Sequence, residues 1–153
     1  MPESRFRTAA EIIAFAIGRE VEAAESYGRM AVKARTPGLK DLLLELRAEE
    51  ESHRRILEGL TGDVIAAMAP AAVPDLRLVD GLADEKLSDD MSLQELLIFA
   101  ARKEGRAVEL YEALARMAGA SGQAGTFLLL AGQERAHKLK LEPEYEKRVL
   151  PEN

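Results

Sequence analysis

Residues 46–57 read LRAEEESHRRIL and residues 130–141 read LAGQERAHKLKL. Each window holds a Glu three positions before a His: Glu50 before His53, and Glu134 before His137. On a helix that spacing places both side chains on one face, a turn apart. The face in question is apolar. Around the first pair it runs Leu39, Leu43, Leu46, Glu50, His53, Leu57, Leu60, and around the second Phe127, Leu130, Glu134, His137, Leu141. These are alternating steps of three and four, so the Glu and His point where the leucines point, into a core. Glu occupies 20 of the 153 positions, so both His residues following a Glu at this spacing by chance has a probability of about 2%.

Two more segments carry the same kind of intrusion. One stripe is Ile13, Ala16, Glu20, Ala23, Tyr27, Met30, Ala34, and the other is Leu97, Ala100, Glu104, Ala107, Tyr111, Leu114, Ala118. Each has a single Glu flanked by Ala, which leaves room around a carboxylate, and a Tyr two turns later. The halves of the chain align without a gap at a shift of 84 residues. Thr8 then falls on Ser92, Glu20 on Glu104, Tyr27 on Tyr111, Glu50 on Glu134 and His53 on His137. Two helical hairpins related by an internal pseudo-twofold follow from this repeat.

The punctuation predicts four helices. The first spans about residues 8–34, opened by Thr8 with Glu11 as a capping box. Thr36-Pro37-Gly38 ends it and starts the second, about 37–60, with Pro37 in a first turn. Ser92 with Glu95 opens the third, about 92–117. Gly119, Ser121 and Gly122 turn the chain into the fourth, about 122–141, which Pro143 should end or kink. Residues 61–91, with Pro70, Pro74, Gly81 and an acidic patch around Asp89, are too long for a simple loop. They read as a crossover, with Val64 to Met68 able to form a short helix. An all-α, ferritin-like four-helix bundle of two repeated hairpins with one long crossover, as a single domain over residues 1–153, is the expected architecture.

Composition narrows the function. Hydrophobic residues make up 47% and charged residues 31%, enough for both a core and a soluble surface. A formal charge of -6 argues against a general nucleic-acid or anionic-membrane binder. The absence of Cys rules out disulfides, a thiol nucleophile and iron–sulfur clusters. The apolar run Ile12 to Gly18, bracketed by Glu11 and Arg19, is too short to span a bilayer and lacks the features of a signal peptide, so a cytoplasmic location is expected.

Four carboxylates and two imidazoles thus converge on one core. Four buried like charges are prohibitive without compensation, and two divalent ions would supply it. Oxygen and nitrogen donors without sulfur suit iron or manganese, with zinc a ready substitute. Without metal, burial and mutual repulsion are expected to raise the pKa values of the four Glu. Tyr27 and Tyr111 are either core residues or hydrogen-bond partners of the metal-bound carboxylates. Glu22, Glu25, Glu49, Glu51, Glu109 and Glu112 read as exposed helix charges, and Tyr145 as surface or tail packing.

These residues carry a resemblance. Glu20 with Tyr27, Glu50-x-x-His53, Glu104 with Tyr111 and Glu134-x-x-His137 are similar, over nearly the whole length, to the rubrerythrin-like branch of the ferritin-like superfamily. The resemblance implies a di-iron centre bridged by Glu50 and Glu134, with Glu20, Glu104, His53 and His137 as terminal ligands. It implies reaction with peroxide or dioxygen. Rubrerythrin proper also has a four-Cys iron site, which this chain lacks, so an electron donor would be a separate protein. Rubrerythrin further has a Glu one turn after its third-helix ligand, where this chain has Ala107, with Ala23 equivalent in the first half. A homodimer is compatible with the reading, and no nucleic-acid or membrane partner is expected. Three functions remain open: a di-iron oxidoreductase of peroxidase type, a ferroxidase or iron-handling protein, and a structural bundle with a redox-inert metal.

Overall fold

The computed structural model describes residues 8–68 and 90–149. Helix α1 spans Ala9–Lys33, α2 Pro37–Glu58, α3 Gly62–Ala66, α4 Leu93–Met117 and α5 Ala124–Val149, with a 3-10 turn at Gly119–Ser121 before α5. Helices α1 and α2 form one antiparallel hairpin and α4 and α5 the other. The hairpins meet with α1 against α4 and α2 against α5.

The expected caps form. The Thr8 hydroxyl accepts from the Glu11 N–H at 3.1 Å, and Thr36 from the Leu39 N–H at 3.3 Å. Ser92 and Glu95 make the full reciprocal box, at 3.2 Å in both directions. Each such cap satisfies a backbone donor that the helix cannot, at a value of about 1 kcal/mol. Gly122 turns the chain into α5 with φ of 76°, a left-handed conformation that costs glycine little. Helix α3 begins two residues earlier than the expected Val64, because Thr61 caps it by accepting from the Val64 N–H. The rest of the expected crossover, including Pro70, Pro74, Gly81 and Asp89, lies outside the described residues.

Helix α5 departs from expectation by continuing through Pro143 to Val149. Proline forfeits the bond to the carbonyl of Leu139, but both positions are exposed, and water can take that carbonyl. Beyond the proline, Tyr145 packs against the same apolar cluster that buries Leu141, which draws the helix onward.

The core is divided. One cluster gathers Ile12, Ile13, Ala16, Leu57, Ala107, Tyr111, Leu114, Phe127 and Leu130. The other gathers Tyr27, Met30, Leu43, Leu46, Leu97, Ala100 and Leu141. On each long helix the charged residues of the stripe fall between these clusters: Glu20 between Ala16 and Tyr27, Glu50 and His53 between Leu46 and Leu57, and likewise on α4 and α5. A polar layer therefore sits inside the bundle, sealed by leucine above and below. Among the described residues no helix is long and apolar enough to cross a membrane.

Candidate metal centre

All six stripe residues arrive at that layer. Glu20, Glu50 and Glu134 are 0% exposed, and Glu104, His53 and His137 are 1% exposed. They fall into two groups whose donor atoms lie within 4.8 Å of one another. One is Glu20, Glu50, His53 and Glu134, and the other is Glu50, Glu104, Glu134 and His137. Glu50 and Glu134 belong to both. The imidazole rings stack nearly parallel with centroids 5.8 Å apart.

Each imidazole turns Nδ1 towards the carboxylates. The Nδ1 of His53 lies 3.1 Å from Glu134 Oε1, 3.2 Å from Glu50 Oε1 and 3.6 Å from Glu20 Oε2. The Nδ1 of His137 lies 3.3 Å from Glu134 Oε1, and 3.4 Å from Glu50 Oε1 and from Glu104 Oε2. Those six atoms, one from each residue, are buried without a hydrogen-bond partner. Buried polar atoms are nearly always satisfied, so six converging orphans are the signature of a donor set built for cations. Carboxylate oxygen and neutral imidazole nitrogen suit two divalent metal ions of the iron, manganese or zinc kind.

The pseudo-twofold governs the supporting contacts, and it crosses the hairpins. The Tyr27 hydroxyl donates to Glu104 Oε1 at 2.7 Å, and its repeat counterpart Tyr111 donates to Glu20 Oε1. The Nε2 of His53 bonds Gln133 Oε1, and the Nε2 of His137 faces Glu49 Oε2 at 3.4 Å. Glu49 and Gln133 are themselves related by the 84-residue shift. At His53 the Gln133 acceptor favours the proton on Nε2 and leaves Nδ1 free as a donor to metal. Replacing the Tyr27 hydroxyl removes a single bond from an oxygen that Arg19 still holds. Tyr27→Phe should therefore lower stability by about 1 kcal/mol in urea unfolding, retain both metals in elemental analysis, and alter reactivity slightly.

Several residues differ from the sequence reading. Glu22, Glu25 and Glu109 are exposed as expected, but Glu49, Glu51 and Glu112 are half-buried. Glu51 pairs with Arg47 along its helix and Glu112 with Arg135 across the hairpin. Glu49 is drawn inwards by His137. The larger surprise is Arg19, only 5% exposed. Its Nη1 donates to Glu20 Oε1 at 3.0 Å, to Glu50 Oε2 at 2.9 Å and to Glu134 Oε2, while Nη2 donates to Glu104 Oε1 at 3.0 Å. One guanidinium thus grips all four carboxylates by the oxygens that face away from the imidazoles. Arg19 sits one place off the stripe, where periodicity assigns it to a flank. The clue in the sequence was its adjacency to Glu20 in a helix whose core holds too much negative charge.

Arg19 also changes the titration expected of the four Glu. Burial, with repulsion from Glu104 and Glu134, pushes the Glu50 carboxyl well up. Burial acts on Glu134 in the same sense, but the Arg19 charge and the close approach of the His137 and His53 rings outweigh it and hold Glu134 well below the usual carboxylate range. A uniform rise is therefore incorrect: the guanidinium charge holds Glu134 down while burial and the neighbouring carboxylates push Glu50 up. Burial opposes charge on the imidazoles, yet the facing carboxylates of Glu134 and Glu20 raise His53 to about 10, and those of Glu104 and Glu134 raise His137 to about 9.

A cavity of about 250 Å³ opens on the α1–α4 side and reaches Arg19, Tyr27 and Glu104. Lys103, the repeat counterpart of Arg19, lines this cavity with its Nζ 5.5 Å from the Phe99 ring centre, outside the carboxylate layer.

No protein-family model matches the chain, and no curated protein matches it with significance. One solved structure does: a Thermotoga maritima protein described, provisionally, as a ferritin-like diiron-carboxylate protein. It is 21% identical, superposes with a TM-score of 0.72, and the match covers 96% of this chain and 100% of that one. Two paired helical hairpins with a polar layer between apolar halves therefore constitute a ferritin-like helical bundle, which is the architecture the repeat predicted.

Proposed function

We propose that the chain is a di-iron oxidoreductase of rubrerythrin-like type that reacts with peroxide or dioxygen and is re-reduced by a separate electron-donor protein. The observation that supports this most is the division of six buried residues into two four-residue groups sharing Glu50 and Glu134. Glu20, Glu50, His53 and Glu134 would hold one iron, and Glu50, Glu104, Glu134 and His137 the other. When bound, a ferrous pair supplies the two electrons that, with two protons, convert peroxide to two waters.

The chain's own residues provide the setting. Gln133 accepts from the Nε2 side of His53 and Glu49 faces the Nε2 of His137, so each ring presents Nδ1 to the metals. Tyr27 and Tyr111 anchor the terminal carboxylates of the opposite hairpin. Leucine layers on both sides exclude bulk water, which strengthens the electrostatic hold on the ions. The cavity beside Tyr27 and Glu104 has room for a small molecule such as peroxide or dioxygen next to the carboxylate layer. Its presence favours small-molecule redox chemistry over a purely structural metal.

Anaerobic reconstitution with ferrous iron should give two irons per chain in native mass spectrometry. Addition of peroxide should then change the optical spectrum, and peroxide should turn over with a supplied reductant. Fewer than one iron per chain would overturn the reading. Net iron uptake well beyond two per chain would replace it with iron handling.

A further inference from the structure

The carboxylate layer already contains a cation of its own. Each of the four carboxylates has one oxygen directed at the imidazole Nδ1 atoms and left without a hydrogen-bond partner. The other oxygen of each accepts from Arg19. A carboxylate that bridges two metals through both oxygens, or chelates one, needs the oxygen Arg19 holds. A fixed positive charge in the same low-dielectric layer also repels incoming dications. Guanidinium and metal thus draw on the same negative field.

The arrangement is specific to one half of the chain. The 84-residue repeat places Lys103 opposite Arg19, yet Lys103 lines the cavity with its Nζ 5.5 Å from the Phe99 ring centre, whereas Arg19 donates to all four carboxylates. The planar guanidinium can fork across several acceptors where an ammonium cannot. There is also somewhere for Arg19 to go. The adjoining cavity of about 250 Å³ is lined on the same helix by Glu22 and Ser26, three and seven positions further on, which offer oxygens to a displaced guanidinium.

We infer that Arg19 is an internal competitor for the metal centre, holding the outer oxygens of Glu20, Glu50, Glu104 and Glu134 and withdrawing towards the α1–α4 cavity as two metals take the full carboxylate set. This inference rests on the metal-centre reading above. It makes Arg19 a positioning residue that supports the metal-free fold and weakens metal affinity at the same time. Metal held against such a competitor is retained less tightly, and the centre loads and unloads at higher free metal concentration.

Zinc separates the two roles because it undergoes no redox change. Binding of Zn²⁺ is measured at pH 7.5 by competition with a chromophoric chelator for the wild type, Arg19→Gln, Arg19→Lys and Glu134→Gln. Thermal unfolding of each metal-free protein is followed by circular dichroism. Arg19→Gln should bind zinc at least tenfold more tightly while its metal-free form melts at a lower temperature. Arg19→Lys, whose point charge cannot fork across four carboxylates, should show a smaller gain of about threefold. A residue that only props up the fold would lower the melting temperature without raising affinity. Unchanged or weaker zinc binding by Arg19→Gln overturns the inference. If that variant does not fold without metal, Arg19→Lys decides by the same criterion, a gain supporting the inference and no gain overturning it. A wild type that binds fewer than two zinc ions, indistinguishably from Glu134→Gln, instead removes the metal centre and the inference with it.

Discussion

Glu134→Ala is expected to lose the paired centre and bind at most one metal ion per chain. Glu134 belongs to both four-residue groups, and its Oε1 lies within 3.3 Å of both imidazole Nδ1 atoms. Removing it withdraws a donor from both positions at once, whereas removing Glu20 or Glu104 touches one. Glu50→Ala should behave alike for the same reason. The metal-free protein should suffer as well. Arg19 and the two imidazole rings would lose a carboxylate that all three face, and breaking one partner of a buried ionic set costs about 3–5 kcal/mol. Native mass spectrometry after iron loading, beside urea unfolding of the metal-free form, tests both parts. A Glu134→Ala protein that still binds two irons with an unchanged spectrum would show that the assignment of Glu134 as a shared ligand is wrong.

The stabilisation conferred by metal should be larger at pH 9 than at pH 6.5. His53 and His137 are raised in the folded protein to about 10 and about 9. A group raised on folding contributes stability that is complete below its unfolded value, near 6.5 for His, and is lost as pH rises through the folded value. Between those limits the unfolded chain has released the proton that the folded layer retains, and each imidazole contributes a fall of about 1.4 kcal/mol per pH unit. Glu50 is raised too and acts in the same sense. Glu134 is depressed, so its contribution is lost only as pH falls into the acid range and does not change in this window. The metal-free protein should therefore lose melting temperature steadily from pH 6.5 to 9, by roughly 10–20 °C for a chain of this size. Metal affinity runs the other way, because ligation at Nδ1 requires those protons to leave. Thermal unfolding of metal-free and zinc-loaded protein at the two pH values measures the difference. An equal or smaller gain at pH 9 would mean that the imidazoles are not ligands, or that the metal-free layer opens to water.

The bundle and the membership of its polar layer were written in the periodicity. Side chains spaced three and four apart share a helix face regardless of what the helix packs on, so Glu20, Glu50, His53, Glu104, Glu134 and His137 had to point inwards with their leucine neighbours. The gapless 84-residue repeat required the two hairpins to meet about one axis, and the caps at Thr8, Thr36 and Ser92 depend only on local backbone bonds. Tertiary structure decided what lies within reach once the helices are assembled. Arg19 is a long, flexible side chain rooted off the stripe, and only the field of four converging carboxylates draws its charged end inwards. Glu49 and Gln133 meet the histidines of opposite hairpins, contacts that separate residues 80 or more positions apart and that no local pattern records. The choice of Nδ1 over Nε2 follows from those contacts. Helix α5 likewise passes Pro143 because Tyr145 finds an apolar cluster beyond it. Periodicity reads the direction of the Cβ atom. Where a long polar side chain ends is decided by the charges and cavities that other helices bring to it.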